Sequence, residues 1–230
     1  MTKRTFNVLD LGLMDYRKAY QLQREVLSQR KLGLAEDTLI ILEHLPVITC
    51  GRRGRIEDLL ADDENLARKG MSFYSIDRGG GLTYHGPGQL VAYPILDLKK
   101  HAKDIYLYLR KLEEAVINLL AGYEVIGYRR DGFTGVWVEN KKICSIGIGI
   151  SRWVTYHGLS LNVSPDMEGF STIRPCGLVG DVMTSLGEVL DEPPKLEDVK
   201  VNFIGAFGEV FDLEPIKEVE PEAISCIRQC

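Results

Sequence analysis

Residues 78–94 read RGGGLTYHGPGQLVAYP, and this stretch combines five glycines with an unusual density of polar side chains. Glycine loses more backbone entropy on folding than other residues, but it permits positive φ and lets a ligand approach main-chain N–H groups. The polar side chains here are Arg78, Thr83, Tyr84, His85 and Gln89. The spacing matches neither the phosphate-binding loop nor the dinucleotide fingerprint, and a glycine-rich stretch alone is also typical of an ordinary loop. The segment predicts a binding site held between two core strands.

Hydrophobic patterns on both sides of this segment predict interleaved helices and strands. Helices are predicted at 16–29, 62–69, 105–120 and about 196–211, and strands at 38–42, 73–76, 90–98, 134–139, 142–150 and 154–163. The first predicted element of the domain is a helix, and a strand follows it. Asn140 and Lys141 are predicted to form a tight hairpin. The pattern indicates an α+β fold with helices packed on a sheet.

Length and composition favour a single main domain over residues 1–230. Paired prolines at 193 and 194 interrupt the chain, so residues from about 195 to 230 are a possible C-terminal helical appendage. No apolar run approaches the roughly 20 residues that span a bilayer, and no signal-peptide pattern begins the chain. We therefore expect a soluble cytoplasmic protein without a membrane partner.

Charge and cysteine content narrow the function classes. A net charge of −5 at pH 7 argues against general nucleic-acid binding. Basic clusters at 52–55 and 99–103 are either a docking surface for an acidic partner or ordinary solvated charge. The five cysteines form an odd set, which favours free thiols in a reducing compartment.

Cys176 is the candidate nucleophile. It lies in IRPCGL, where Pro175 restricts the backbone on one side and Gly177 removes a side chain on the other, so the thiol is exposed in a defined direction. A thiol with a pKa near 8.5 is only a few per cent thiolate at pH 7, so a functional cysteine needs a cation or a base nearby. The alternative is a small buried hydrophobic residue.

Lys142 is the candidate partner of that thiol. It begins the apolar stretch KICSIGIGI, where burial would lower the pKa of an ammonium and make the amine a usable base. In a regular strand Lys142 and Cys144 share one face and Lys141 faces away. The alternatives are a solvated lysine at a hairpin end and, for Cys144, either a second reactive thiol or a packed core cysteine.

Six other positions are histidines or cysteines with expectations of their own. His85 and His157 are each either a general base or a hydrogen-bonding structural residue. His44 and Cys50 are expected to position a loop. Cys226 and Cys230 are spaced for one face of a helix but lack nearby ligands, so no metal site is predicted.

Five segments in order resemble the lipoyl(octanoyl) transferases, namely residues 42–52, 78–89, 142–147, 157–162 and 174–177. The similarity covers about positions 5 to 210. That family shares its fold with the biotin and lipoate protein ligases. The resemblance therefore implies an α+β domain with a mixed β-sheet flanked by helices.

The resemblance also implies an activity and roles for residues. An octanoyl group would move from octanoyl-acyl carrier protein to a lysine of a lipoyl domain, through a thioester on Cys176, with Lys142 lowering the thiol pKa and no cofactor. The acceptors would be the lipoyl domains of 2-oxoacid dehydrogenase E2 subunits and the glycine cleavage H protein. The residues implied to bind the acyl group are Arg78, Gly79, Gly80, Gly81, Leu82, Thr83, Tyr84, His85, Ser145, Ile146, Gly147, Gly158, Leu159 and Ser160, supported by His157, Asn162 and Gln89.

Three other functions remain open at this point. An ATP-dependent lipoate or octanoate ligase would share the fold but activate a free acid. An amidotransferase would take its acyl group from another lipoyl domain. A passive binding module would leave Cys176 unreactive.

Overall fold

A large and a small β-sheet form the framework of the protein in a computed structural model, which describes residues 4–175 and 182–216. In chain order the strands are β1 (Arg4–Met14), β2 (Thr38–His44), β3 (Val47–Cys50), β4 (Ser72–Ser75), β5 (Leu82–His85), β6 (Gln89–Ile95), β7 (Gly135–Val138), β8 (Lys141–Ser151), β9 (Val154–Asn162) and β10 (Leu213–Ile216). The large sheet has the order β10-β1-β2-β6-β9-β8-β7, and the small sheet has the order β4-β3-β5. In the large sheet β1 runs parallel to β2 and β10, and the other pairs are antiparallel.

The helices are α1 (Tyr16–Leu32), α2 (Asp63–Arg68), α3 (Ile105–Ala121), α4 (Leu186–Val189) and α5 (Leu196–Phe211). Side chains cap the two longest ones. Asp15 accepts a hydrogen bond from the Lys18 N–H at the start of α1, and Asp104 accepts from the N–H groups of Tyr106 and Leu107 at the start of α3. These contacts satisfy backbone donors that have no partner within the helix.

The large sheet is buried on both faces because alternate strand residues serve different cores. In β2, Leu39 and Ile41 pack into the cluster that contains α3 and α5, whereas Ile40 and Leu42 pack into the cluster that contains α1. A strand covered on both faces reads as a continuous apolar run, and residues 39–42 are such a run.

The predicted α+β class and mixed sheet are confirmed, as are the four helices and the strand positions, to within a few residues at their ends. Three local predictions were wrong. Strand β1 opens the domain, before the first helix. The hairpin turn lies at Glu139 and Asn140, whose φ angles of 48° and 72° suit a two-residue turn between twisted strands. The glycine-rich segment itself contains β5, and β4 before it belongs to the small sheet.

The C-terminal helix is part of the main fold up to the last described residue. Phe203 and Phe207 of α5 are fully buried in the core with α3, and β10 pairs with β1. This packing places residues 196–216 in the body of the domain, where the sequence suggested a possible appendage. Residues 217–230, including Cys226 and Cys230, lie outside the described part. Within the described part, no helix is both long enough and apolar enough to cross a bilayer.

Candidate active site

A cleft of about 540 Å³ is bounded by the glycine-rich turn on one side and by β8 and β9 on the other. Three of the segments implied to bind the acyl group line it together: residues 78–83 with His85, residues 145–147 and residues 158–160. His157 and Lys142 line the same cleft. The fold thus gathers residues that are far apart in sequence around one cavity.

The glycine-rich turn is held by backbone hydrogen bonds to the loop after β3. The Gly51 N–H donates to the Gly81 carbonyl at 3.1 Å, and the Arg52 N–H donates to the Arg78 carbonyl at 3.0 Å. A Cβ at Gly51 would lie only 2.5 Å from the Gly80 carbonyl oxygen. Glycine is therefore needed at position 51 for the two loops to approach this closely.

The same turn also contacts β8 across the cleft. The Gly79 N–H donates to the Ile148 carbonyl at 2.8 Å. A Cβ at Gly147 would lie 2.7 Å from the Gly79 carbonyl oxygen. These contacts set the spacing between the two walls at this end of the cleft.

Arg78 places a buried guanidinium in the cleft lining. Its Nη2 donates to the carbonyl and the hydroxyl oxygens of Thr49, at 2.7 and 2.8 Å, and its Nη1 donates to the Gly79 carbonyl at 2.9 Å. A planar guanidinium held by several acceptors is a fixed positive charge. It can attract a carbonyl or an anionic group in the cleft.

Lys142 is 3 % exposed and lines the cleft, but Cys144 does not share its face. The pairing of β7 with β8 shifts register, so that Lys142 lies opposite Trp137 and Cys144 opposite Val136 in the hydrophobic core. The extra residue, Ile143, interrupts the alternation of the strand. The predicted common face for Lys142 and Cys144 was wrong because it assumed a regular strand.

The side chain of Lys142 lies in a slot between two residues of β7. Its Nζ is 4.8 Å from the centre of the Trp137 ring. Gly135 has φ of +131°, and a Cβ there would lie 2.7 Å from Lys142 Cε. An aromatic face and a missing side chain thus shape the space that the lysine occupies.

Cys176 lies outside the described residues, but the chain on both sides of it is anchored at the cleft. The Arg174 N–H donates to the carbonyl of Asp58, a lining residue, at 2.7 Å. The Lys142 N–H donates to the Val182 carbonyl at 2.8 Å. The described residues on either side of this gap, Arg174 and Val182, thus hydrogen-bond to two residues that line the cleft, Asp58 and Lys142.

Asp77 is a functional candidate that the sequence reasoning missed. Its carboxylate accepts hydrogen bonds from His157 Nε2 at 3.0 Å, from the Tyr156 hydroxyl at 2.8 Å and from the Tyr20 hydroxyl at 3.1 Å, and it forms an ion pair with Arg24. The hydrogen bond from His157 and those from the tyrosines hold the pKa of Asp77 well below its usual range. Its one signal in the sequence is its place directly before Arg78.

His157 is buried and occupies the left-handed region of backbone conformation, with φ of 55°. Burial lowers its pKa below the usual value, although the Asp77 carboxylate opposes the shift. The imidazole is therefore neutral at pH 7 and donates from Nε2, because a carboxylate can only accept. This hydrogen bond fixes the orientation of the ring in the cleft lining.

His44 and His85 are buried neighbours, with ring centres 5.6 Å apart. His44 donates from Nδ1 to the Met14 carbonyl at 3.1 Å and accepts at Nε2 from the Tyr93 hydroxyl at 2.7 Å. Burial lowers the pKa of His44 to about 4 and lowers that of His85 well below its ordinary value. Both rings are neutral at pH 7, and His85 lines the cleft with Tyr93.

Gln89 and Asn162 form a polar layer behind the lining. Gln89 Nε2 donates to Asn162 Oδ1 at 3.0 Å, and Gln89 Oε1 lies 3.2 Å from His85 Nδ1. Asn162 Nδ2 donates to the Thr184 carbonyl at 2.8 Å. The Tyr84 ring points elsewhere, because it packs edge-on against Phe170 in a separate cluster. Gln89 and Asn162 therefore support the site from behind.

Two cysteines are described, and both are free thiols. Burial raises the pKa of Cys144 to about 12, although the nearby Lys142 charge opposes the shift. Cys50, at the end of β3, is partly buried and directly precedes the loop that carries Arg52, Arg53 and Arg55. Among the described residues, no group of three or more histidine, cysteine or acidic side chains is arranged to hold a metal ion.

Residues 15–208 match the family model described as "Lipoyl protein ligase A/B catalytic domain". The chain belongs to this family. A protein of Chloroflexus aurantiacus named Octanoyltransferase is 48 % identical over 215 residues, which are 92 % of this chain and 96 % of the relative. One of Roseiflexus sp. with the same name is 49 % identical and covers 92 % of this chain and 90 % of the relative. The resemblance seen in the sequence is thereby confirmed.

Solved structures agree on the fold. The protein Ta0514 of T. acidophilum, described as a putative lipoate protein ligase, superimposes with a TM-score of 0.72 over 99 % of this chain and 93 % of its own. The two chains are 15 % identical in sequence. The likeness therefore shows a common architecture and leaves the reaction to be argued from the site and the closer relatives.

Proposed function

We propose that this protein transfers an octanoyl group to a lysine of a lipoyl domain through a thioester on Cys176. Octanoyl transfer follows the name carried by relatives that are 48 % and 49 % identical across most of the chain. The structural observation that carries the mechanism is the position of Lys142. Its side chain lines the cleft, and its backbone bonds to Val182, six residues after Cys176. An amine within reach of a thiol can activate it as a nucleophile, and we propose that Lys142 and Cys176 form such a pair.

The first half of the reaction forms the acyl-enzyme. Lys142 Nζ takes the proton from Cys176 Sγ, and the thiolate attacks the thioester carbonyl of the octanoyl donor. The carbon–sulfur bond to the donor breaks, and the departing thiolate takes the proton from Nζ. Because one thioester replaces another, this exchange is close to balanced in free energy.

The second half releases the acyl group as an amide. The neutral ε-amine of the lipoyl-domain lysine attacks the carbonyl, the bond to Sγ breaks, and the proton lost by the amine returns to Sγ through Lys142. An amide is more stable than a thioester. The step therefore runs downhill without ATP.

The cleft lining includes side chains suited to the hydrocarbon part of the acyl group. Apolar side chains of Ile76, Leu82, Ile146, Ile148 and Leu159 line it. Each buried methylene of an octanoyl chain gains about 0.8 kcal/mol on leaving water. We assign these side chains to the hydrocarbon chain.

Backbone donors of the glycine-rich turn are our candidates for the oxyanion. These candidates are the N–H groups of Gly80 and Gly81, because both glycines line the cleft without a side chain and the Gly79 N–H already donates to the Ile148 carbonyl. In other enzymes one oxyanion donor contributes about 3 kcal/mol. The buried charge of Arg78 adds to the positive potential at the same place.

The partners and location form part of the same proposal. The donor is octanoyl-acyl carrier protein, and the acceptors are lipoyl domains of 2-oxoacid dehydrogenase E2 subunits and the glycine cleavage H protein. The odd set of five cysteines supports a cytoplasmic location. A ligase that activates free octanoate with ATP and an amidotransferase that uses another lipoyl domain as donor are the competing reactions.

The test is the intact-protein mass after mixing the enzyme with octanoyl-acyl carrier protein in the absence of ATP. We expect an octanoyl adduct that is lost in Cys176→Ala, kept in Cys144→Ala, and discharged when an apo lipoyl domain is added. Activity that appears only with free octanoate, ATP and Mg²⁺ would assign the chain to the ligase reaction. Adduct formation only from an octanoylated lipoyl domain would assign it to the amidotransferase reaction.

A further inference from the structure

Each of the two tryptophans of this chain has a lysine Nζ over its ring. Lys142 Nζ lies 4.8 Å from the centre of the Trp137 ring, and Lys103 Nζ lies 4.8 Å from the centre of the Trp153 ring. The surroundings of the two pairs are opposite. Trp137 and Lys142 are 1 % and 3 % exposed, whereas Lys103 is exposed and Trp153 is half-buried. The attraction of a cation to an aromatic face is strongest where water is excluded.

The position of Trp137 beneath Lys142 depends on the bulge in β8. Because Lys142 lies opposite Trp137 in the register, the two side chains project on the same face of the sheet. In a strictly alternating strand, residues 142 and 145 lie on opposite faces. Lys142 and Ser145 nevertheless both line the cleft. The bulge therefore keeps Lys142 both on the ring and in the cleft.

Gly135 provides the space that the lysine needs. A Cβ at this position would contact Lys142 Cε at 2.7 Å and Nζ at 3.3 Å. Its N–H donates to Glu113 Oε1 at 3.1 Å, and the buried Glu113 is held in turn by Arg110 and Arg129. The conformation of Gly135 is therefore tied to α3 as well as to β8.

We propose that Trp137 is a positioning residue that holds Lys142 at the cleft and stabilises its ammonium form through the face of the indole ring. This inference rests on the proposed function, in which Lys142 receives the proton of Cys176. The proton moves from Sγ to Nζ, and a neutral pair becomes an ammonium and a thiolate. Because the two charges form together, the free energy by which the ring stabilises the ammonium also shifts the proton-transfer equilibrium toward the thiolate.

The physical need for such a ring follows from burial. An ammonium withdrawn from water loses its hydration, and a buried cation is stable only if other groups replace that hydration. The negative face of an indole attracts the cation without supplying a second proton acceptor that would compete with the thiolate. A cation–π contribution typical of a desolvated site corresponds to a roughly tenfold change in thiolate population, or about one pH unit.

The experiment follows the rate at which iodoacetamide alkylates Cys176, by peptide mass mapping, from pH 5 to pH 10. We expect Trp137→Leu to move the midpoint of this profile up by about one pH unit and Trp137→Phe to move it less. Trp153→Leu, which removes the matched pair outside the cleft, should leave the midpoint unchanged. An equal midpoint in wild type and Trp137→Leu would overturn the inference.

A second arm separates the charge effect from any loss of packing. Fluorinated tryptophans keep the size of the indole but weaken the negative potential of its face. In a Trp153→Phe background, incorporation of mono-, di- and trifluorinated tryptophan should raise the midpoint step by step while the melting temperature changes little. A midpoint that does not respond to fluorination would assign Trp137 to packing alone.

The two proposals fail in different ways. If Cys176 is not the nucleophile, the alkylation profile of the wild type has the midpoint of an ordinary thiol, and Cys176→Ala still transfers the octanoyl group. If only the role of Trp137 is wrong, the wild-type midpoint is low, Cys176→Ala is inactive, and the Trp137 variants and fluorinated proteins keep the wild-type midpoint.

Discussion

The wall of the cleft that contains β8 presents the Lys142 amine among apolar neighbours, whereas the wall that contains the glycine-rich turn presents backbone beside the Arg78 guanidinium. On the first wall, Lys142 lies on the Trp137 ring and beside Gly135. On the second, the peptide groups of residues 78–81 are hydrogen-bonded to the loop at 51–53. The first wall supplies a group that can carry a proton, and the second supplies shape and fixed dipoles. Glycine therefore serves both walls in different ways. Gly135 makes room for the Lys142 side chain, and Gly51 lets two loops approach each other closely.

The largest expected effect separates the chemical role of the first wall from its packing. Lys142→Met keeps most of the length of the side chain and removes the amine. We expect the rate of octanoyl transfer to fall about 10³-fold, which is typical for loss of a proton-transfer group, while the protein stays folded. Single-turnover transfer and thermal melting measure the two properties. Lys141→Met, on the neighbouring residue outside the cleft lining, should stay within about twofold of wild type, and a similar loss in both variants would contradict the assignment.

The next effect concerns three buried histidines, His44, His85 and His157, of which the last two line the cleft. His44, His85 and His157 have pKa values below their ordinary value because of burial, so the unfolded chain binds more protons than the folded one. The free energy of unfolding should therefore be highest above pH 6.5 and fall as the pH decreases below it. The slope approaches about 1.4 kcal/mol per pH unit for each histidine.

Urea unfolding at several pH values between 7 and 5 measures this slope. His44→Gln should reduce the slope by up to about 1.4 kcal/mol per pH unit, which is the contribution of one proton. Stability that is constant from pH 7 to pH 5 would show that the three rings are protonated in the folded state.

A smaller effect tests the contact between the two walls. Gly147→Ala would place a Cβ 2.7 Å from the Gly79 carbonyl oxygen and force the walls apart. We expect a loss of about 2 kcal/mol in stability and roughly tenfold in kcat/KM. Gly205→Ala in α5 is the control, because its Cβ would meet nothing within 4 Å, and it should be neutral or stabilising by about 0.5 kcal/mol. Equal stability of the two variants would show that the walls do not depend on this contact.

The smallest effect concerns the thiol behind the first wall. Cys144 is fully buried and burial raises its pKa to about 12, so it stays protonated. Cys144→Ala should lower stability by about 1 kcal/mol and leave the transfer rate within about twofold of wild type. In the native protein Cys144 should also resist alkylation at pH 8. Rapid labelling of Cys144 under these conditions would mean that the core of β8 opens.

Much of the fold was predictable because local patterns are strong there. Helices α1, α3 and α5 have apolar residues at helical spacing, and β2 reads as a continuous apolar run. Strand β1 was missed because residues 4–14 alternate imperfectly and include a register shift after Asp10. Strands β3 and β5 are four residues long, which is too short for periodicity to identify.

The sequence by itself determined the fold class and the family. It also identified the glycine-rich segment at 78–89 and the segment at 142–147 that begins with Lys142, both of which contribute to the cleft. These features are local, since glycine, proline and apolar spacing act on the chain next to them. Only the tertiary structure decided that Cys144 leaves the face of Lys142, that Trp137 lies under the amine, and that Asp77 joins His157 to two tyrosines. Each depends on strand register or on contacts between residues far apart in the chain. A one-residue bulge changes which face a side chain takes, and no local pattern records it.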